Sequence, residues 1–186
     1  MKFTILLTFL TIFFTSIQPA PAQSSKTASP KESLEFGRKL MKQERWEEAR
    51  QQFAKINKGK HGADRLLKAE ANFSYGLCLE KSGKTNDAIK VYNAVIAVYG
   101  PYVTWSSQAL ERGFNLAYQV KEPEKKINAY RYLRKILYMF QNYQEADDAS
   151  GSLSRIRKRR IEVAKELGLT SEQQRNIDIK LGIIDE

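Results

Sequence analysis

Chemistry in this chain would have to pass through very few side chains. The 186 residues contain one histidine, His61, and one cysteine, Cys78. A general base or a metal ligand needs partners close by, and around His61 the sequence offers only Asp64; a metal site takes three or four ligands. His61 reads as an exposed loop residue. Cys78 lies between Leu77 and Leu79, which predicts a buried thiol rather than a nucleophile. Being alone, it forms no intrachain disulfide. Glu47-Glu48 and Asp147-Asp148 are neighbours in sequence, and neighbours on a helix do not face each other. Paired-carboxylate catalysis needs two acids across a cleft, so both pairs read as solvated helix surface. The expectation is a protein that is not an enzyme, with no metal and no cofactor.

Positive charge is the more prominent feature. Arg155-Ile156-Arg157-Lys158-Arg159-Arg160 places five cations in six positions. On a helix Arg155 and Arg159 share one side, and Ile156 and Arg160 another. Such a run suits phosphates or an acidic surface. No zinc-finger spacing, glycine-rich phosphate loop or separate reading helix accompanies it, so nucleic acid is not the expected partner. A solvated face, or contact with an anionic membrane or protein surface, is. The whole chain carries a formal charge of +10, which favours acidic or anionic partners and also supports solubility without any partner.

The elements that would position these groups are helical. In Arg65 to Tyr99 two apolar-patterned segments flank a turn at Ser82-Gly83-Lys84. Leu67, Ala71, Phe73, Tyr75, Leu77 and Leu79 leave the first segment little purely polar surface, so it needs cover on more than one side. Ala88, Ile89, Tyr92, Val95 and Ile96 give the second one broad apolar face. Small Gly76 and Ala88 let two helix backbones approach. The same offsets recur upstream in Phe36-Gly37, Leu40, Trp46, Ala49, Phe53 and Ile56. A weaker copy follows in Leu116-Ala117, Val120, Ala129, Leu133 and Ile136, giving starts near residues 30, 69 and 110.

These spacings resemble the tetratricopeptide repeat, whose helical hairpins stack in line with a period of about 34 residues. The longer spacing here implies extended connections. The resemblance implies an all-α, right-handed superhelix of about three stacked hairpins over residues 31–141, with capping helices over 142–186. It also implies a concave groove lined by the first helix of each hairpin. Carried over position by position, the groove takes Lys31, Leu34, Arg38, Met41 and Lys42 from the first copy. It takes Glu70, Phe73, Leu77, Glu80 and Lys81 from the second, and Glu111, Phe114, Tyr118, Lys121 and Glu122 from the third. The expected partner-binding set is Leu34, Arg38, Lys42, Phe73, Leu77, Lys81, Phe114 and Tyr118, suited to a peptide with an apolar anchor and an acidic group.

Boundary signals fill in the rest. Lys2, the apolar run Phe3 to Ile17, and Ala20-Pro21-Ala22 read as a cleavable signal over residues 1–22. The run is short for a membrane-spanning helix. Export to a periplasm or to the exterior is therefore expected, with a polar lead-in at 23–30 and no stable transmembrane segment after cleavage. Asp64 and Thr104 are candidate helix caps. Gly100-Pro101 and Glu122-Pro123-Glu124 mark turns. Glu145 to Leu167 reads as a capping helix with Ala149, Leu153, Ile156, Arg160, Val163, Ala164 and Leu167 on one face. Thr170 with Gln173 predicts a capping box for a last helix from Ser171 to Leu181, with Ile177, Leu181 and Ile184 docking back. Asn72-Phe73-Ser74 fits a glycosylation pattern but falls mid-helix.

The function these features support is a non-enzymatic scaffold that docks a protein or peptide, which resembles small periplasmic repeat proteins assisting envelope assembly. The alternative is a structural subunit, or an adaptor to an anionic envelope surface, that uses the repeat stack and the basic C-terminal helix.

Overall fold

The computed structural model describes residues 28–58, 63–119, 121–144 and 147–185, and eight α-helices run through these described residues. They are α1 (Pro30–Lys42), α2 (Trp46–Lys58), α3 (Arg65–Lys81), α4 (Thr85–Tyr99), α5 (Val103–Tyr118), α6 (Pro123–Met139), α7 (Ser152–Glu166) and α8 (Ser171–Lys180). No strand occurs among the described residues, so the fold is all-α. The expected leader and most of the lead-in, Val120, and His61 all lie outside them.

Local chemistry sets most of the boundaries. Ser29 and Glu32 form a reciprocal capping box with Pro30 at the first position of α1. Asp64 accepts from the Leu67 amide at 2.6 Å and starts α3. Thr170 and Gln173 form the box expected for α8. Thr104 does not cap α5; it lies one residue inside the helix, and its hydroxyl accepts from the Ala149 amide instead. The capping helix expected from Glu145 begins later, at Ser152, because Gly151 turns with φ +66. Ile184 is 42% exposed and does not dock.

Three hairpins use one turn. The Arg45 amide donates to Leu40 O, Lys84 to Leu79 O and Leu169 to Ala164 O, each near 3 Å. In each the residue just before the donor has positive φ: Glu44 at 57°, Gly83 at 74° and Gly168 at 64°. This is the six-to-one closure that ends helices in a left-handed residue. Only Glu44 does so with a side chain, which costs about 1 kcal/mol relative to glycine.

Consecutive helices from α1 to α7 pack against each other, and alternate ones also touch: α1 with α3, α3 with α5, and α5 with α7. Phe73 lies against Trp105 and Glu80 pairs with Arg112. Both pairs advance together along α3 and α5, so those two helices run parallel. The Glu111–Arg155 and Tyr118–Glu166 contacts show the same for α5 and α7. One core cluster joins α1, α2 and α3 around Leu40, Phe53, Ile56 and Cys78. A larger one runs from α3 to α8 around Tyr92, Leu110, Phe114, Tyr130, Leu133 and Ile156. Tyr75 touches both.

Close approach is needed at two glycines. A Cβ on Gly37 would lie 2.5 Å from Phe53 Cε1, and one on Gly76 2.8 Å from Tyr92 Cε1. Ala49 and Ala88 on the opposing helices are fully buried. The third hairpin departs from its expected register. Helices α1 and α3 end five residues after Gly37 and Gly76; α5 ends five residues after Gly113. The small position is therefore Gly113, four residues before Ala117. Gly113 faces Tyr92 of α4 rather than α6. The place of Ala49 and Ala88, three residues into the second helix, falls to Lys126, not Ala129. Ala117 and Ala129 instead line an apolar cleft of about 360 Å³ between α4, α5 and α6.

Candidate functional site

Between α1 and α3 the surface opens into a cleft of about 650 Å³. Its wall from α1 presents Glu35, Arg38, Lys39, Met41 and Lys42; Phe73, Ser74 and Leu77 come from α3, and Trp46 closes one end. Four of the eight expected binding residues meet here: Arg38, Lys42, Phe73 and Leu77. Amphipathic α1 turns its polar side outward here, while α3, apolar on most sides, leaves Leu77 half-buried where α1 and α5 do not cover it. The arrangement gives an apolar floor of Met41, Trp46 and Leu77 beneath a cationic rim of Arg38, Lys39 and Lys42.

The other expected residues are placed differently. Leu34, Phe73 and Phe114 are each at most 5% exposed, so they act as core and not as surface anchors. Phe73 contributes only an edge to the cleft, because its ring is held against Tyr92 and Trp105 at centroid distances of 5.9 and 5.7 Å. Lys81 is exposed at the end of α3, outside the cleft lining. Tyr118 is covered by α7. Its hydroxyl donates to Glu166 at 2.9 Å, and Lys126 and Arg159 lie over its ring. Burial, followed by the bond to Glu166, pushes the Tyr118 phenol up to about 12.

Ion pairs stitch the alternate helices together. Arg38 donates to Glu70 at 2.7 Å from Nε and to Glu35 at 2.6 Å. Arg112 reaches Glu80 at 2.8 Å, and Glu80 also accepts from Tyr92 at 2.6 Å. Arg155 holds both oxygens of Glu111, at 2.7 and 2.8 Å. Arg38 therefore reaches the rim with part of its charge already compensated. Lys39 and Lys42 carry the rest of the cationic rim.

The basic run divides in the same way. Arg155 joins α5, and Arg159 pairs with Glu162 and Glu166. Arg157 donates to Phe140 O at 3.1 Å and Tyr143 O at 2.9 Å, covering carbonyls just past the C-terminus of α6. Lys158 and Arg160 line a separate cleft between α6 and α7. Asp148, expected at the surface, is 4% exposed and accepts from the Leu153 amide at 2.5 Å, anchoring the start of α7. Nothing in the composition of the acidic pair distinguishes it from Asp147; only the glycine turn at Gly151 hints at a helix start to be capped.

Cys78 is fully buried, and desolvation pushes its thiol up to about 12, a state opposed to nucleophilic use. Among the described residues no group of His, Cys, Asp and Glu is arranged to hold a metal ion. No helix among them is long and apolar enough to cross a membrane. No protein-family model, curated protein or solved structure matches the chain.

Proposed function

We propose that the chain is a non-enzymatic scaffold of stacked tetratricopeptide-like hairpins that docks a peptide segment of a protein partner in the α1–α3 cleft. The observation that carries this reading is the cleft itself. An apolar floor of Met41, Trp46 and Leu77 sits under Lys39, Lys42 and Arg38 in about 650 Å³ of open space. That combination suits an extended segment with one large apolar side chain and one or more carboxylates. The glycine–aromatic contacts at Gly37 and Gly76, and the shared turn at Glu44 and Gly83, support the family comparison. The apolar run from Phe3 to Ile17 with Ala20-Pro21-Ala22 supports an exported scaffold.

A random-peptide display library panned on the chain tests the reading. Enriched peptides should combine an aromatic or leucine with nearby acids. Leu77→Glu and Lys42→Glu should each reduce their affinity at least about tenfold, since each removes a central anchor or a charge partner. Leu77 is half-buried and Lys42 exposed, so both variants should keep the parent melting profile. Peptides that bind equally well to both variants would place docking elsewhere.

A further inference from the structure

A second opening lies at the far end of the molecule, between the end of α6 and the middle of α7. It encloses about 800 Å³ and is lined by Arg134, Leu137, Tyr138, Gln141, Tyr143, Gln144, Ser154, Arg157, Lys158, Arg160, Ile161 and Ile183. Among these twelve residues there are four cations and no carboxylate. Arg134 is neutralised by Asp178, which accepts from its Nε at 2.7 Å. Arg157, Lys158 and Arg160 have no acidic partner among the described residues. Arg157 bonds only to the neutral carbonyls of Phe140 and Tyr143. These bonds fix the guanidinium in the cleft wall, and no carboxylate among the described residues pairs with it. The helix spacing from Ser154 to Arg157 and Lys158, and on to Ile161, keeps this face turned one way.

Apolar side chains are exposed in this lining and next to it in the chain. Tyr138, Met139, Ile161 and Ile184 are 40%, 53%, 49% and 42% exposed, half of the large hydrophobic side chains exposed among the described residues. Two belong to the cleft lining itself, Tyr138 and Ile161. Cations beside the exposed Tyr138 and Ile161 side chains match the layering of a lipid interface. There, phosphates lie just outside the first acyl carbons. A soluble acidic peptide would use the cations but would leave the exposed Tyr138 and Ile161 side chains of the lining without a role.

We propose that the α6–α7 cleft is a docking site for anionic phospholipid, with Arg157, Lys158 and Arg160 on the headgroup phosphate and Tyr138 and Ile161 at the outer acyl layer. This site is independent of the α1–α3 cleft.

Vesicle co-sedimentation of the full chain tests it. The quantity read is the ratio of partitioning onto phosphatidylglycerol-rich vesicles to that onto pure phosphatidylcholine, so any binding through the apolar N-terminal run cancels. Lys158→Glu/Arg160→Glu should lower that ratio at least about tenfold. Lys55→Glu/Lys58→Glu on α2, with the same change in net charge, should lower it less than about threefold. Ile161→Ser should weaken anionic binding while leaving its salt dependence intact. Lys158→Glu alone, at an exposed position, keeps the test valid if the double variant melts early. Equal losses from the α6–α7 and α2 variants, or a ratio near one for the parent, would overturn the assignment. Binding of inorganic phosphate or poly-glutamate that is tighter than binding to the vesicles, lost in Lys158→Glu/Arg160→Glu and unchanged in Ile161→Ser would reassign the cleft to a free anion or an acidic protein; either defeats the lipid proposal.

Discussion

The first two hairpins and the third solve the same packing problem with different residues. In α1/α2 and α3/α4 a glycine faces an aromatic ring and an alanine is fully buried opposite, so the helix pairs close along their length. In α5/α6 the alanine position is Lys126 and the turn carries one more residue. A lysine there needs an exit for its charge. Lys126 finds one over the Tyr118 ring, with Nζ 5.0 Å from the centroid. The cost is separation: α6 touches α5 far less than α4 touches α3. The difference teaches that one side chain at a helix crossing decides whether a hairpin closes or leaves a cleft.

Exchanging that side chain should produce the largest effect. Ala88→Lys would place an ammonium in a fully buried site with no exit and no partner. A destabilisation of about 3–5 kcal/mol is expected, read as a collapse of the thermal melting midpoint. Lys126→Ala, the reverse exchange, should change stability by less than about 1 kcal/mol, since a weak cation–ring contact is traded for better helix propensity. If Ala88→Lys melted like the parent, the crossing would not be the determinant proposed here.

A smaller contrast separates the glycines. Gly76 would bring a Cβ to 2.8 Å from the Tyr92 ring, and that ring is tethered through its hydroxyl to Glu80. At Gly113 the nearest atom is Tyr92 Cβ at 3.3 Å. Gly76→Ala should destabilise by about 1–2 kcal/mol after the gain in helix propensity is included. Gly113→Ala should fall within about 0.5 kcal/mol of neutral by the same balance. Chemical denaturation midpoints compare the two directly. An equal cost at both positions would mean that the third hairpin is packed as tightly as the second.

What the sequence made legible follows from how local each signal is. Asp64, Ser82-Gly83-Lys84 and the Thr170–Gln173 pair act within a few residues, and each appears where expected. The buried Cys78 follows from its apolar neighbours. The third hairpin's register was hidden because Lys126 breaks the glycine–alanine spacing that marks the other two. Ala117 and Ala129 supplied a false copy of it. Half of the expected binding residues gathered in one cleft. Leu34 and Phe114 did not join them, because position on a helix does not reveal whether a neighbour covers it. Asp148 and Arg157 lay beyond reach for the same reason. Their roles depend on α7 returning beside α5 and α6, a long-range event with no local mark.

The third hairpin is also held by α7, which packs on both α5 and α6, and much of the α5–α7 joint is charged. Burial raises the Glu111 carboxyl, but bonds from Arg155 and Ser152 outweigh it and hold the group below its ordinary value of 4.5. A carboxyl depressed in the folded state stabilises fully above its unfolded value and loses that contribution as pH falls through the folded one. The Glu111 contribution should thus be whole at neutral pH and fade below about pH 4.5. Arg155 is 56% exposed at its side chain, so solvent screening limits the pair to about 0.5–1 kcal/mol. Glu111→Gln should therefore melt slightly earlier than the parent at pH 7, with the gap narrowing at pH values well below 4.5. The tight α1–α4 half offers an internal control. Amide exchange in α7 should quicken at acid pH before exchange in α3 does, because α3, although Glu70 and Glu80 also tie it to its neighbours, belongs to both apolar clusters, whose contacts protonation leaves intact. A Glu111→Gln gap that stays constant with pH, or α3 loosening first, would show that apolar contacts alone hold α7 in place.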